Sequence, residues 1–548
     1  MLEFSQFGLK AVTFSLKRNI ISFFRINRFN VEKRLVLSPI MHSIVNVRGL
    51  TTSIIFAILF FFVNANSIRA QERQYDTLSA DFQLGFLVTS ESHFLPFYLV
   101  NNRFGEVDED DNLFLSGSLK YERHLSNRLR FQSGFSYRNK VLSSHFLGLT
   151  YEKLYFNVGR YKRQFGGLKE SLSSGSLALS QNARPIPSIE VGLLDYVDVP
   201  FTGGYFKTKG HISHGWLETD RFISNAVLHS KSFYLKLDLE KEIGWSAASG
   251  IVHFAQYGGV SPLGDRQPSS FSDFLRVFAG SGIPNPDGTT AGESNGLGNH
   301  LGIVETTVTQ QVGEHGLTLN YQKPFEDFGS LQYISFTDYL IGLEWNLPES
   351  NRSINRVYVE YIQTKWQGGP GLPDATDFIQ NEEDNFGYGF GGRDDNYNNF
   401  LYRSGWTYQG QVIGNPLFLT YERTLNFLEA YPDYGVSIVN NRFRALHLGL
   451  DGKIGERLSY KGQFTYTKNF GTYAGLYEGR FNWAGATSDP NFEYVFRPAL
   501  EQIYSLIDLQ YLSAVGKTSI SFNLRLAYDF GDLYNNFGSE VSVTYLLN

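Results

Sequence analysis

The sequence predicts an all-β fold, a transmembrane antiparallel β-barrel of the bacterial outer membrane with plug and surface loops. Three observations predict it. The composition is aromatic and glycine-rich but only moderately hydrophobic. The one long apolar run is confined to the N-terminal region. The rest of the chain alternates apolar and polar residues with period two.

The 548 residues include 47 Phe, 33 Tyr and 54 Gly, with two Met and no Cys. Hydrophobic residues make up 42%, aromatic residues 16%, and mean hydropathy is −0.23. A bundle of membrane helices needs several apolar runs of about 20 residues, and the chain has none. A barrel is greasy on one face of each strand, so this middling hydropathy suits it. Without disulfides the chain relies on packing and backbone pairing, which a closed barrel with no unpaired edge provides.

Ile54–Val63 (IIFAILFFFV) is too short for an ordinary bilayer helix and fits the apolar core of a signal peptide. Arg48 is its positive flank, and Ala70 is the small residue at the expected cleavage point. Met41 is a natural start for that peptide. An uncleaved anchor is the alternative reading. Residues 1–40 therefore read as an over-called start or an extension, 41–70 as the signal peptide, and 71–548 as the barrel. Removing 1–70 takes away nine of the 48 basic and two of the 54 acidic residues, which leaves a net charge of −13. Such a chain does not seek nucleic acid by charge. The run Asp108-Glu109-Asp110-Asp111 reads as a solvated loop.

The strands follow from alternation. In 129–138, Leu129, Phe131, Phe135 and Tyr137 share one face. In 232–240, Phe233, Leu235, Leu237 and Leu239 do. Leu458, Tyr460, Phe464 and Tyr466 repeat the pattern, as do Ile520, Phe522, Leu524, Leu526, Tyr528 and Phe530. The chain ends on Val541, Val543, Tyr545 and Leu547. A soluble sandwich shows the same period with its apolar face inward. Segments of about ten residues with Phe- and Tyr-rich faces favour the membrane version. The longest loops, 261–300 and 367–399, are expected to fold over or into the barrel or to reach outside. Within the first, Ser272–Phe278 reads as a short helix.

The chemical motifs are weak. Gly387–Gly392 matches G-x-G-x-x-G but lacks the strand and helix that would make it a phosphate cradle. Gly516-Lys517-Thr518 lacks the first glycine of a phosphate loop, because position 511 is Tyr511. His211 and His214 are three apart on an expected strand and so face opposite ways, which argues against a shared metal. No metal, cofactor or catalytic activity is expected. The most suggestive stretch is 363–408. There Trp366, Tyr388, Tyr397 and Trp406 are interleaved with Asp384, Arg393, Asp394 and Asp395. Flat rings pack against the C–H faces of sugars, and Asp and Arg bond to hydroxyls and carboxylates. These eight residues are the candidate polysaccharide site. The plainer reading of any one ring is girdle or loop packing.

Several stretches resemble the capsule assembly Wzi family of outer-membrane proteins. In order they are 95–105 (LPFYLVNNRFG), 175–187 (GSLALSQNARPIP), 209–215 (KGHISHG), 228–235 (LHSKSFYL), 253–264 (HFAQYGGVSPLG), 273–278 (DFLRVF), 298–302 (GNHLG) and 393–416 (RDDNYNNFLYRSGWTYQGQVIGNP). The resemblance implies a barrel of about 18 strands closed by helical and loop plug elements. It also implies a lectin-like role in attaching or organising capsular polysaccharide or exopolysaccharide at the cell surface. The expected partners are that polymer, outer-membrane lipid and, during biogenesis, the barrel assembly machinery. The chain departs from the usual barrel ending, an aromatic last residue, because it closes on Leu547-Asn548. A porin or nutrient channel is the first alternative, and a barrel enzyme acting on lipid or sugar is the second.

Overall fold

The computed structural model describes residues 76–91, 94–163, 167–168, 171–282, 296–326, 338–348, 353–367, 395–433, 435–476, 494–515 and 518–547. The extension and signal peptide therefore lie outside the described residues.

Each segment with period-two alternation is a strand. The first six are β1 (Asp76–Thr89), β2 (Leu113–His124), β3 (Leu129–Arg138), β4 (Val141–Tyr151), β5 (Leu154–Arg160) and β6 (Ser188–Leu193). The next six are β7 (Phe206–Trp216), β8 (Val227–Leu239), β9 (Trp245–Tyr257), β10 (Asn299–Val312), β11 (His315–Phe325) and β12 (Tyr339–Asn346). The last six are β13 (Ile354–Gln363), β14 (Arg442–Ile454), β15 (Leu458–Gly471), β16 (Leu500–Val515), β17 (Thr518–Gly531) and β18 (Asn536–Leu547). Every neighbouring pair is antiparallel, and β18 pairs back onto β1 with Tyr545 opposite Phe82. The pair Val197–Asp198 bonds to β7 beyond the end of β6 and prolongs that stave. The result is a closed barrel of 18 staves with no open edge.

The two faces of the wall are chemically opposite. Outward positions are apolar and exposed, among them Leu84, Phe86, Phe135, Phe233, Phe464, Phe522 and Tyr545. In water this would be one continuous apolar surface far beyond what a monomeric soluble protein shows. Against lipid it is the required surface. Inward positions are polar and buried, among them Glu305, Gln322, Glu360, His447, Gln502 and Glu540. The protein is an outer-membrane barrel.

The connections are sorted by end. Both chain ends of the barrel lie at the rim with the tight turns 125–128, 152–153, 313–314 and 455–457. The intervals 90–112, 161–187, 258–298, 364–441 and 472–499 all leave from the opposite rim. In outer-membrane barrels short turns are periplasmic and long loops extracellular, so the long intervals gather at the outer mouth. Among the described residues, four short helices lie within them: α1 (Phe97–Val100), α2 (Phe271–Ala279), α3 (Tyr421–Leu425) and α4 (Tyr473–Leu476).

Candidate functional site

The described parts of 90–112, 161–187, 364–441 and 472–499 turn back into the lumen and build a plug with an apolar centre. Leu99, Leu177, Trp406, Ile413, Phe418 and Ile438 share one buried cluster with inward wall residues such as Phe254 and Phe443. A buried backbone needs partners for its polar groups, and the inward wall residues supply many of them. On β13, Glu360 accepts hydrogen bonds from Ser173 Oγ at 2.7 Å and Ser174 Oγ at 2.5 Å. On β11, Gln322 Oε1 accepts from Leu177 N–H at 3.1 Å. On β14, His447 Nε2 donates to Leu172 O at 2.6 Å. On β17, Asp529 Oδ2 accepts from Phe97 N–H at 2.6 Å. On β18, Glu540 pairs with Arg103 through two bonds, at 2.5 and 3.2 Å. On β5, Arg160 donates to Tyr408 Oη at 3.0 Å. The plug is thus tied to the wall on several sides.

Gly449 on β14 lets the plug backbone come this close. A Cβ there would stand 2.4 Å from Leu172 O, inside any tolerable contact, so the position needs glycine.

Four of the eight sequence-predicted site residues are described, and all four are interior. Trp406 is fully buried, donates from Nε1 to Ala178 O at 2.6 Å and meets the Phe254 ring edge-on at 5.5 Å. Tyr397 is buried with its ring 4.2 Å from that of Phe418. Trp366 is buried, and its N–H donates to Asp338 Oδ1 at 2.9 Å. Asp395 is buried too. It accepts from Asn441 Nδ2 at 2.9 Å, from Asn398 Nδ2 at 3.0 Å and from the Thr472 hydroxyl. Burial pushes the Asp395 carboxyl up from its usual range, and these hydrogen bonds oppose that shift. None of the four presents a ring or carboxylate to solvent; here they hold the plug together. Asp384, Tyr388, Arg393 and Asp394 lie outside the described residues, as does Gly387–Gly392.

The acidic run 108–111, expected to be a solvated loop, is mostly engaged by cations from distant segments. Arg184 reaches Asp108 at 3.5 Å, Arg423 contacts Glu109, and Arg138 lies 3.5 Å from Asp111. The sequence gives no local sign of these partners, because they come from other connections. His211 and His214 do face opposite ways, His211 into the lumen and His214 outward. Among the described residues, no group of three His, Cys, Asp or Glu side chains is placed to hold a metal.

The outward side of the plug carries a cup of about 710 Å³. The interval 90–112, the hairpin Thr407–Val412 and α3 form its sides. Gln409 and Gly410 form the hairpin tip, both with positive φ (50° and 77°), the geometry of a tight two-residue turn. Charged groups from other connections fix the tip. Glu218 Oε1 accepts from Gln409 N–H at 3.1 Å, and Arg184 donates to Gln409 Oε1 at 2.7 Å. Buried Arg221 in turn braces Glu218 at 3.3 Å and donates to Thr407 O at 3.2 Å.

The polar part of the cup lining is mainly amide and carboxylate, Asn101, Asn182, Gln409, Gln411 and Asn426 beside Glu109, Glu218, Asp220 and Glu422, and Val100, Val412, Pro416 and Phe418 give it an apolar part. Arg423 is the cation among them, and Glu109 engages it. Gln411 Oε1 is buried without a hydrogen-bond partner among the described residues. This lining offers many acceptors and amide donors with a net negative charge. It suits a hydroxyl-rich neutral ligand better than an anion. Sequence reasoning singled out none of these residues as ligand-binding. Asn and Gln scattered over three connections look like ordinary loop composition.

A second cavity, of about 640 Å³, lies in the lumen beside β1–β8 and is lined mainly by mid-strand residues such as Gln83, Gln132, Asn157 and Lys209.

No protein-family profile matches the chain, and no curated protein does. Among solved structures, Escherichia coli Wzi aligns with a TM-score of 0.52 at 13% identity. The alignment covers 85% of this chain and 84% of that one. The chain folds like Wzi. That protein is described as a carbohydrate-binding outer-membrane β-barrel involved in group 1 capsule assembly. Pseudomonas aeruginosa OccK5 (OpdH) aligns at a TM-score of 0.43 and 8% identity, over 86% of this chain and 98% of that one. The Wzi-like fold fits the resemblance seen in the ordered motifs, and at this identity it is a likeness of fold.

Proposed function

We propose that this protein binds polysaccharide at the cell surface through the cup at its outer mouth, attaching or organising capsular material without catalysis. The carrying observation is the cup itself. It is an outward-facing pocket of fixed amides and carboxylates on a plug tied to the barrel wall. Sugar hydroxyls donate to carboxylates and accept from amide N–H groups, and the cup lining carries both. The likeness of fold to Wzi, described as carbohydrate-binding, supports the same reading. The acidic lining favours a polymer that is neutral at the contact, or one bridged by a divalent cation.

The test is capsule retention. Deleting the gene should move surface polysaccharide from the cells into the medium, and the wild-type gene should restore it. A variant with Asp220→Ala and Gln411→Ala, both lining the cup, should reach the membrane at normal level and fail to restore it. Unchanged cell-bound polysaccharide in the deletion strain would remove the proposal.

A channel is the second reading, favoured by the polar lumen cavity. The hydrogen bonds that tie plug to wall weigh against it.

A further inference from the structure

At one place the outer face of the wall breaks its own rule. His214 on β7, His229 on β8, Ala255 on β9 and His300 on β10 are paired side by side in one row across four strands. The adjacent row runs Ile212, Lys231, His253 and Gly302. These positions share the outward face with Phe233, Leu235 and Ile251, which are exposed further down the same strands. Four histidines and a lysine thus occupy outward positions near the outer rim. Charged groups on the lipid face cost about 2–4 kcal/mol at mid-bilayer and about 0–1 near the interface.

The wall patch is covered. After β9, the described residues 271–282 lie over the outside of the barrel and lay α2 across it. A capping box starts α2: Ser270 Oγ accepts from Asp273 N–H at 3.3 Å, and Asp273 Oδ2 accepts from Ser270 N–H at 2.8 Å. Gly280 in the left-handed conformation ends it. Its inner side packs Val277 and Phe274 against Ala255, Tyr257 and Val227. The Phe274 ring meets the His229 ring edge-on at 5.3 Å. Lys231 Nζ bonds to Phe278 O at the helix C-terminus, where a cation is favoured, and lies 4.2 Å from the Phe278 ring centroid. His229 is fully buried as a result.

One flank of α2, beside this packing side, is apolar and exposed. Phe271, Leu275 and Phe278 stand at i, i+4 and i+7 and are 76%, 51% and 37% exposed. They form one helical stripe. That stripe lies on the outside of the barrel, continuous with its lipid-facing band.

We propose that α2 is an interfacial docking element for the outer leaflet. Its stripe Phe271–Leu275–Phe278 enters the lipid at the rim and replaces the apolar surface that the wall lacks beneath it. The occupant is lipid because the stripe continues a surface that is already lipid-facing. An amphipathic helix lying in the interface plane buries its apolar face in this way.

The chain has no Cys, so one introduced thiol carries one probe. An environment-sensitive fluorophore at Leu275→Cys, in the full barrel reconstituted in phosphatidylcholine vesicles, should be quenched by nitroxide lipids and protected from aqueous iodide. Phe271→Cys, one turn earlier, repeats the reading should the first substitution disturb the helix. Phe233→Cys marks wall that faces lipid, and Gln409→Cys marks the watery mouth. Quenching of both α2 probes by iodide like Gln409→Cys, with Phe233→Cys still quenched by lipid, would overturn the proposal and leave the barrel intact. Protection of the α2 probes from both quenchers would also overturn it, since a second copy or another protein would then cover the stripe.

Discussion

Trp406 and Ala178, 228 residues apart in sequence, are joined by a 2.6 Å hydrogen bond from indole to carbonyl at the centre of the plug. The bond ties the interval 364–441 to the interval 161–187. Trp406→Ala should cost about 3–5 kcal/mol, the usual loss for a fully buried large ring. Trp406→Phe keeps most of the ring but leaves the buried Ala178 carbonyl without this donor, at about 1–3 kcal/mol. Unfolding temperatures in detergent should fall in the order wild type, Trp406→Phe, Trp406→Ala. An unchanged Trp406→Ala transition would mean that the plug does not depend on this contact.

Glu360 ties plug to wall, so it should control leakage. Glu360→Leu strands the Ser173, Ser174 and Tyr358 hydroxyls that bond to it, at about 1–3 kcal/mol for each buried group left unpaired. In planar bilayers the wild type should pass little current, and Glu360→Leu should show frequent larger openings. Glu360→Gln keeps an acceptor and should stay near wild type. A large steady conductance in the wild type would favour the channel reading.

Asp338 should make stability fall as pH rises. Its carboxyl is pushed up to about 7, first by burial, against the opposing bonds from Trp366 and Gln367 N–H and the charges of Lys323 and Arg442. An unfolded Asp titrates near 3.9, so the folded protein holds this proton more tightly. Its stabilising contribution is complete below about pH 4 and is lost as pH rises through about 7. Asp338→Asn, neutral at every pH, should lessen the fall in melting temperature between pH 5 and pH 8. An equal fall in the variant would contradict the assignment.

Strand placement was legible because alternation is a local signal. Leu129–Arg138 was expected as a strand and is β3; the outward faces of β8, β15, β17 and β18 carry the expected rows. The short helix expected at Ser272–Phe278 is α2, since its cap and its i, i+4 spacing are also local. The plug was harder to read. Trp366, Tyr397 and Trp406 stand in a polar, glycine-rich stretch that looks solvent-exposed, yet they are buried by wall and plug residues far away in sequence. The cup is less legible still. Asn101, Asn182, Glu218 and Gln411 are brought together by closure of the barrel, and no spacing between them forms a motif. Outward His214, His229 and His300 likewise become one row when register pairs their strands.

The central claim is carbohydrate recognition at the outer cup. It is tested most directly by titrating purified, detergent-solubilised barrel against the surface polysaccharide of its own strain, immobilised on a sensor. The wild type should bind saturably. Asp220→Ala combined with Gln411→Ala should lose about tenfold in affinity or more, as expected when charged and amide hydrogen bonds are removed, with an unchanged unfolding temperature, since Asp220 is exposed in the cup and braces nothing among the described residues. No saturable binding by the wild type, or equal binding by the double variant, would contradict the account.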